Sequence, residues 1–124
     1  RSLLWYACVE RVLLLRAALA TQGRLSRKQR RDALRWVRRV TTGSSPTFVA
    51  VGHAVAALLH ETVGDVARAA AAARQALETS QQENPWRRWY VLEVANRVLG
   101  VDPDREREAR ALRGAGGFRA PGLD

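Results

Sequence analysis

The chain contains no methionine, a single cysteine, only two phenylalanines and two tyrosines, and just one lysine, Lys28, among its 21 basic residues. Each scarcity excludes something. A lone Cys8 forms no internal disulfide and supplies no multi-thiol zinc site, so a reducing compartment fits and a cytoplasmic location is expected. The missing methionine leads us to expect a piece cut from a longer polypeptide, and the preference for Arg over Lys, with abundant Ala, suggests a GC-rich bacterial source. The most apolar stretch, 3–20, carries Glu10, Arg11 and Arg16, each costing roughly 2.5 to 3.5 kcal/mol at a bilayer centre. No membrane span and no membrane partner are expected.

What is present is helix-forming and ordinary in polarity, with 47% hydrophobic and 27% charged residues over 124 positions, enough for one domain with a packed core. The net charge of +9 is unevenly placed: residues 1–43 hold eleven basic and two acidic side chains, whereas 44–124 hold ten of each. No segment alternates as a half-buried strand does, and the breaks coincide with caps. Gly23 follows an apolar run, Ser26 and Gln29 form a capping box, Ser45-Pro46 and Asn84-Pro85 open helices, and Asp102-Pro103 opens another. Between them, Gly64-Asp65 marks a turn.

These signals predict an all-α fold of about six antiparallel helices, over 2–22, 27–41, 46–62, 66–80, 85–99 and 103–113. The short connections group them into three helical hairpins, 2–41, 46–80 and 85–113, forming one repeat domain over 1–113. A Gly/Pro-rich tail over 114–124 is expected to be loop. Gly23, Gly64 and Gly100 lie 41 and 36 residues apart, a spacing in the range of stacked two-helix repeats, with a closed bundle of the three hairpins as the alternative. Helix 1 is apolar nearly all round, which predicts that neighbouring repeats or a second copy complete its burial. On helix 5 an aliphatic face of Val91, Leu92, Val94, Ala95, Val98 and Leu99 opposes Trp86, Trp89 and Tyr90, as expected of a middle layer; an exposed aromatic docking patch is the alternative.

The stretch "GDVARAAAAARQALE", 64–78, resembles the second half of a tetratricopeptide repeat. Its small residues fall on Ala69 and Ala76, with Leu77 following, and the preceding small residue on Ala57; alanines there let two helices approach closely. His53, His60 and Ala73 depart from the bulky residues of that family, and Pro85 comes four residues late. More broadly, the order of hairpin, Arg-rich aromatic helix, charged short helix and Gly/Pro tail resembles the C-terminal end of degenerate repeat arrays on large bacterial signalling ATPases and kinases. The resemblance implies a right-handed solenoid fragment and a non-enzymatic scaffold. Its inner-helix positions Val51, Ala54, Leu58, Glu61 and Thr62 would then line a partner-binding groove, or pack against the next repeat.

Chemistry is sparse. "GAGGF" follows a helix and lacks the Lys of a phosphate loop, so no nucleotide or other cofactor is expected. His53 and His60 stand about 10.5 Å apart at 1.5 Å rise per residue, too far to share a metal, and are expected to be neutral and partly buried. The charged "DPDREREAR" segment is expected to be a solvated, salt-bridged helix. In 27–40, Arg27, Lys28, Arg31, Arg35, Arg38 and Arg39 fall within one arc of about 120°, with Ala33, Leu34, Trp36, Val37 and Val40 on the core side. The arc is either a solvated or domain-contacting face, a site for an acidic protein segment, or a nonspecific nucleic-acid surface. Base stacking is not encoded, because Trp36 is assigned to the core and no aromatic interrupts the cations. The leading expectation is a protein-interaction or assembly module whose partner is another protein or another domain of the parent chain; nucleic-acid binding by helix 27–40 is the alternative.

Overall fold

The computed structural model describes residues 3–114 and 116–123. Ser2, Ala115 and Asp124, which the sequence assigns to helix 1 and the tail, lie outside the described residues. The described residues contain no strand and form six α-helices: α1 Leu4–Gln22, α2 Arg27–Gly43, α3 Val49–Thr62, α4 Val66–Thr79, α5 Pro85–Leu99 and α6 Pro103–Arg113.

Local chemistry explains the boundaries. At the start of α2 the Gln29 amide donates to Ser26 Oγ at 3.1 Å while the Ser26 amide donates to Gln29 Oε1 at 2.7 Å, closing the capping box. Asp65, Asn84 and Asp102 likewise accept from the amides of Arg68, Arg87 and Arg105. Gly23 ends α1 at φ +80°, its amide donating to the Leu19 carbonyl at 2.8 Å, in a conformation that a side chain would strain. One start differs from expectation. Ser45 makes no side-chain cap and Pro46 opens a short 3₁₀ turn, Pro46–Phe48, so α3 begins only at Val49.

The core is centred on α3, which packs against α1, α2, α4 and α5. From Ala50 to His60 every residue of α3 except His53 is buried, as a helix apolar on all sides requires. Gly52 is the point of closest approach to α2: a Cβ there would stand 2.8 Å from the Val40 carbonyl oxygen and 2.9 Å from Ser44 Oγ. Ala57, Ala69 and Ala76 are buried, and Leu77 is half-buried. Further along the chain, α5 packs against α3, α4 and α6. Arg88 of α5 ties three helices together: its Nη1 donates to the Leu77 carbonyl (3.0 Å) and to Ser80 Oγ (2.8 Å) at the end of α4, while Nε and Nη2 bond the Glu108 carboxylate of α6. That bidentate pair holds the Glu108 carboxyl below its ordinary pKa.

Both faces of α5 are covered. Val91, Leu92, Val94 and Ala95 are buried on one side, and Trp89 and Tyr90 on the other. Trp86 stacks on Tyr90 at 5.3 Å between ring centroids, and Trp5 of α1 meets both rings at 5.5 and 6.0 Å. By contrast α1 is covered on one side only: Cys8, Val9, Val12 and Leu15 are buried, while Tyr6, Leu13 and Leu14 are exposed.

Candidate functional site

Two regions come out of this arrangement. The first is the outer surface of α1 and α2. All six cations assigned to the arc, Arg27, Lys28, Arg31, Arg35, Arg38 and Arg39, are exposed. Asp32, the only acid on α2, shares a cavity with Lys28 and Arg35 but is paired with Arg11 of α1, its carboxylate 3.4 Å from the guanidinium. Arg30, outside the arc, donates to the Val63 carbonyl at 2.9 Å and satisfies an acceptor left open at the end of α3. Trp36 packs against the core as assigned but is only half-buried, with the Arg39 guanidinium 4.3 Å and the Arg11 guanidinium 5.4 Å from the ring centroid. The aromatic face is therefore used by two cations of this surface, and one of them belongs to the arc.

Beside the cations lies a shallow cavity of about 550 Å³ between α1 and α2, whose walls include Leu14, Leu15, Gln22, Gln29, Lys28 and Arg35. Leu14, 60% exposed, gives this surface apolar ground, whereas Leu13, 49% exposed, lines a different cavity with Tyr6, Arg119 and Pro121. Positive charge and unpartnered aliphatic surface thus adjoin one another.

The second region corrects an expectation. Val51, Ala54 and Leu58 do not line an open groove; all three are fully buried. Leu58 packs beneath Gly122 of the tail, close enough that a Cβ on that glycine would stand 3.0 Å from Leu58 Cδ1. Thr62 is half-buried and donates to the Leu58 carbonyl at 2.7 Å. Glu61 remains half-buried and is engaged by Arg97 at 2.8 Å and Arg16 at 4.0 Å. The segment covering this place is the tail itself, which stays non-helical as its glycines and prolines dictate, but is seated against α1, α3 and α5. Phe118 meets Trp89 at 5.3 Å, Trp86 Nε1 donates to the Arg119 carbonyl at 3.1 Å, Tyr90 OH donates to the Pro121 carbonyl at 2.6 Å, and Arg16 Nη1 donates to the Gly122 carbonyl at 2.7 Å. Nothing local in "GFRAPGL" signals the hydrogen-bond partners, which lie 31 or more residues away.

The titratable groups singled out by the sequence are placed in the interior. Burial lowers the pKa of both histidines; for His60, Asp65 opposes the shift and Arg68 adds to it. His60 Nδ1 is buried without a hydrogen bond. Burial pushes the Cys8 thiol up to about 11 against the opposing fields of Arg39 and Arg11. Arg16 is also depressed, by burial and by Arg97, while Glu61 and Tyr90 counteract. Among the described residues no three His, Cys, Asp or Glu side chains gather as a metal site needs, and no helix is long and apolar enough to cross a membrane. No protein-family model, curated protein or solved structure matches this chain.

Proposed function

We propose that this chain is a tetratricopeptide-like helical-repeat module, part of a larger bacterial protein, that holds an acidic protein segment against the outer face of α1 and α2. The order of helix contacts supports the repeat reading. α1 meets α3 and α3 meets α5, with α2 touching α1 and α3 and α4 touching α3 and α5, a contact order compatible with stacked hairpins, while Trp5 of α1 also reaches Trp86 and Tyr90 of α5. The observation that carries the binding reading is the exposed cationic arc lying beside a cavity lined by exposed Leu14. Clustered like charges repel, so a neutralising partner is favoured, and adjacent aliphatic surface lets that partner bury apolar side chains as well. An amphipathic helix with Glu or Asp flanking a leucine stripe meets both demands.

Fluorescence anisotropy with a synthetic helix of that composition, alongside a random-sequence DNA duplex, tests the reading. At about 50 mM salt the peptide binds and the duplex does not, and the triple variant Arg31→Glu, Arg35→Glu, Arg38→Glu loses about tenfold or more in peptide affinity. Tight duplex binding that falls steeply toward about 200 mM salt would instead establish the arc as a nucleic-acid surface.

A further inference from the structure

The way the tail is held has the features of a ligand in a site. The Leu123 amide donates to the Ala120 carbonyl at 2.9 Å, and Gly122 adopts φ +86°, so Ala120-Pro121-Gly122-Leu123 closes a turn with Pro and Gly at the positions a type II turn demands. The turn is read through its main chain. Tyr90 OH takes the Pro121 carbonyl and Arg16 the Gly122 carbonyl, while Trp86 Nε1 fixes the approach at Arg119. One position favours glycine, because Gly122 has φ +86° and a Cβ there would stand 3.0 Å from Leu58 Cδ1, tighter than an ordinary contact. Ala120 and Gly122 are buried, whereas Gly116, Gly117 and Arg119 are exposed, so the seated part ends where the connection to α6 begins. A cavity of about 330 Å³ remains alongside, bounded by Tyr6, Val9 and Leu13 of α1 and by Arg119 and Pro121.

We infer that α1, α3 and α5 build a recognition site for a Pro-Gly turn preceded by an aromatic residue, and that the tail is its resident occupant, held in competition with a matching segment of another protein. Main-chain recognition transfers to any segment that presents the same two carbonyls. The glycine requirement restricts which segments qualify. Attachment at α6 gives the resident turn an effective concentration of about millimolar, so a partner enters efficiently only when the tail is cut, modified or pulled away. The residues involved are not those of the cationic arc, and the two sites stand or fall separately.

The test uses the full chain with a protease sequence inserted between Gly116 and Gly117. After folding, the chain is cut, and a fluorescent peptide GFRAPGL is added to cut and uncut protein. The inference requires that the peptide exchange into the cut protein, which keeps the helical circular dichroism of the uncut one, and bind uncut protein at least about tenfold more weakly. It also requires that the peptide with valine in place of its glycine fail to bind, and that Tyr90→Phe weaken binding in the cut protein without loss of helix. Equal binding to cut and uncut protein, no binding to a cut protein that has released its tail, or loss of helix on cutting would each overturn it. So would a dimer that dissociates when the chain is cut, since the tail would then be seated on a second copy. None of these results bears on whether the acidic helix binds the arc.

Discussion

The hydroxyl of Tyr90, on a fully buried side chain of α5, donates a 2.6 Å hydrogen bond to the main-chain carbonyl of Pro121, 31 residues further along the chain. It joins the innermost aromatic side chain of the fold to a segment that has no regular structure of its own. Tyr90→Phe keeps the ring stack with Trp86 and removes this donor, leaving the half-buried Pro121 carbonyl without its tyrosine partner. The expected loss is about 1 to 3 kcal/mol of tail attachment. Trypsin reads it directly: Arg119 is exposed but its neighbour Ala120 is buried, so cleavage there needs the tail to lift, and the variant is cut about tenfold faster. An unchanged rate at Arg119, with unchanged global stability, would show that the bond does not hold the tail.

Gly52 sets the distance between α2 and α3. Gly52→Ala adds helix propensity worth about 1 kcal/mol. Against this, the new methyl would press on the Val40 carbonyl oxygen at 2.8 Å, a backbone atom that has no rotamer to yield. Overpacking of this kind costs about 1 to 3 kcal/mol, so a net loss of stability is expected from urea denaturation. A stabilised variant would mean that α2 shifts freely on α3.

The two histidines impose a pH dependence. Both have folded-state pKa values below the ordinary one, so the unfolded chain takes up protons first as pH falls through about 6.5. Their effect is therefore full stability above that value and a loss below it, of at most about 1.4 kcal/mol per pH unit for each histidine. Urea midpoints measured between about pH 7.5 and 5.5 should fall, and should flatten in the double variant His53→Gln, His60→Gln. A midpoint that rises on acidification in this window would contradict buried neutral histidines.

Cys8 should be chemically quiet. A thiol raised from 9.0 to about 11 holds about a hundredfold less thiolate at pH 8, and its burial adds steric exclusion. Maleimide labelling of the native chain should proceed at the rate of unfolding and accelerate at least about a hundredfold in denaturant. Rapid native labelling would place the thiol at the surface.

The helices and their caps were legible because each depends on a few neighbours in sequence, as Ser26 with Gln29 and Asn84 with Pro85 show. Exposure of the cationic arc was legible for the same reason, since 3.6-residue periodicity fixes which side chains share a face. The fate of Val51, Ala54 and Leu58 was not. Small apolar residues on an inner helix read alike whether they face a partner or a buried neighbour, and their burial depends partly on a tail whose anchors Arg16, Trp86 and Tyr90 are scattered over two helices. Leu34 departs from the core side that helical phase assigned it, being 41% exposed, while Trp36 packs half-buried against the core under Arg39 and Arg11. Arg88 escaped notice entirely. One arginine among many in the sequence, it is distinguished only by the tertiary meeting of Leu77, Ser80 and Glu108.

The account turns on the outer face of α1 and α2, and a ¹⁵N chemical-shift titration of the labelled chain with the acidic amphipathic peptide tests it most directly. The predicted result is a saturable set of shifts confined to residues around Leu14, Lys28, Gln29 and Arg35, abolished by the triple charge reversal. Shifts centred on α6, or none with the peptide at about 1 mM, would contradict it.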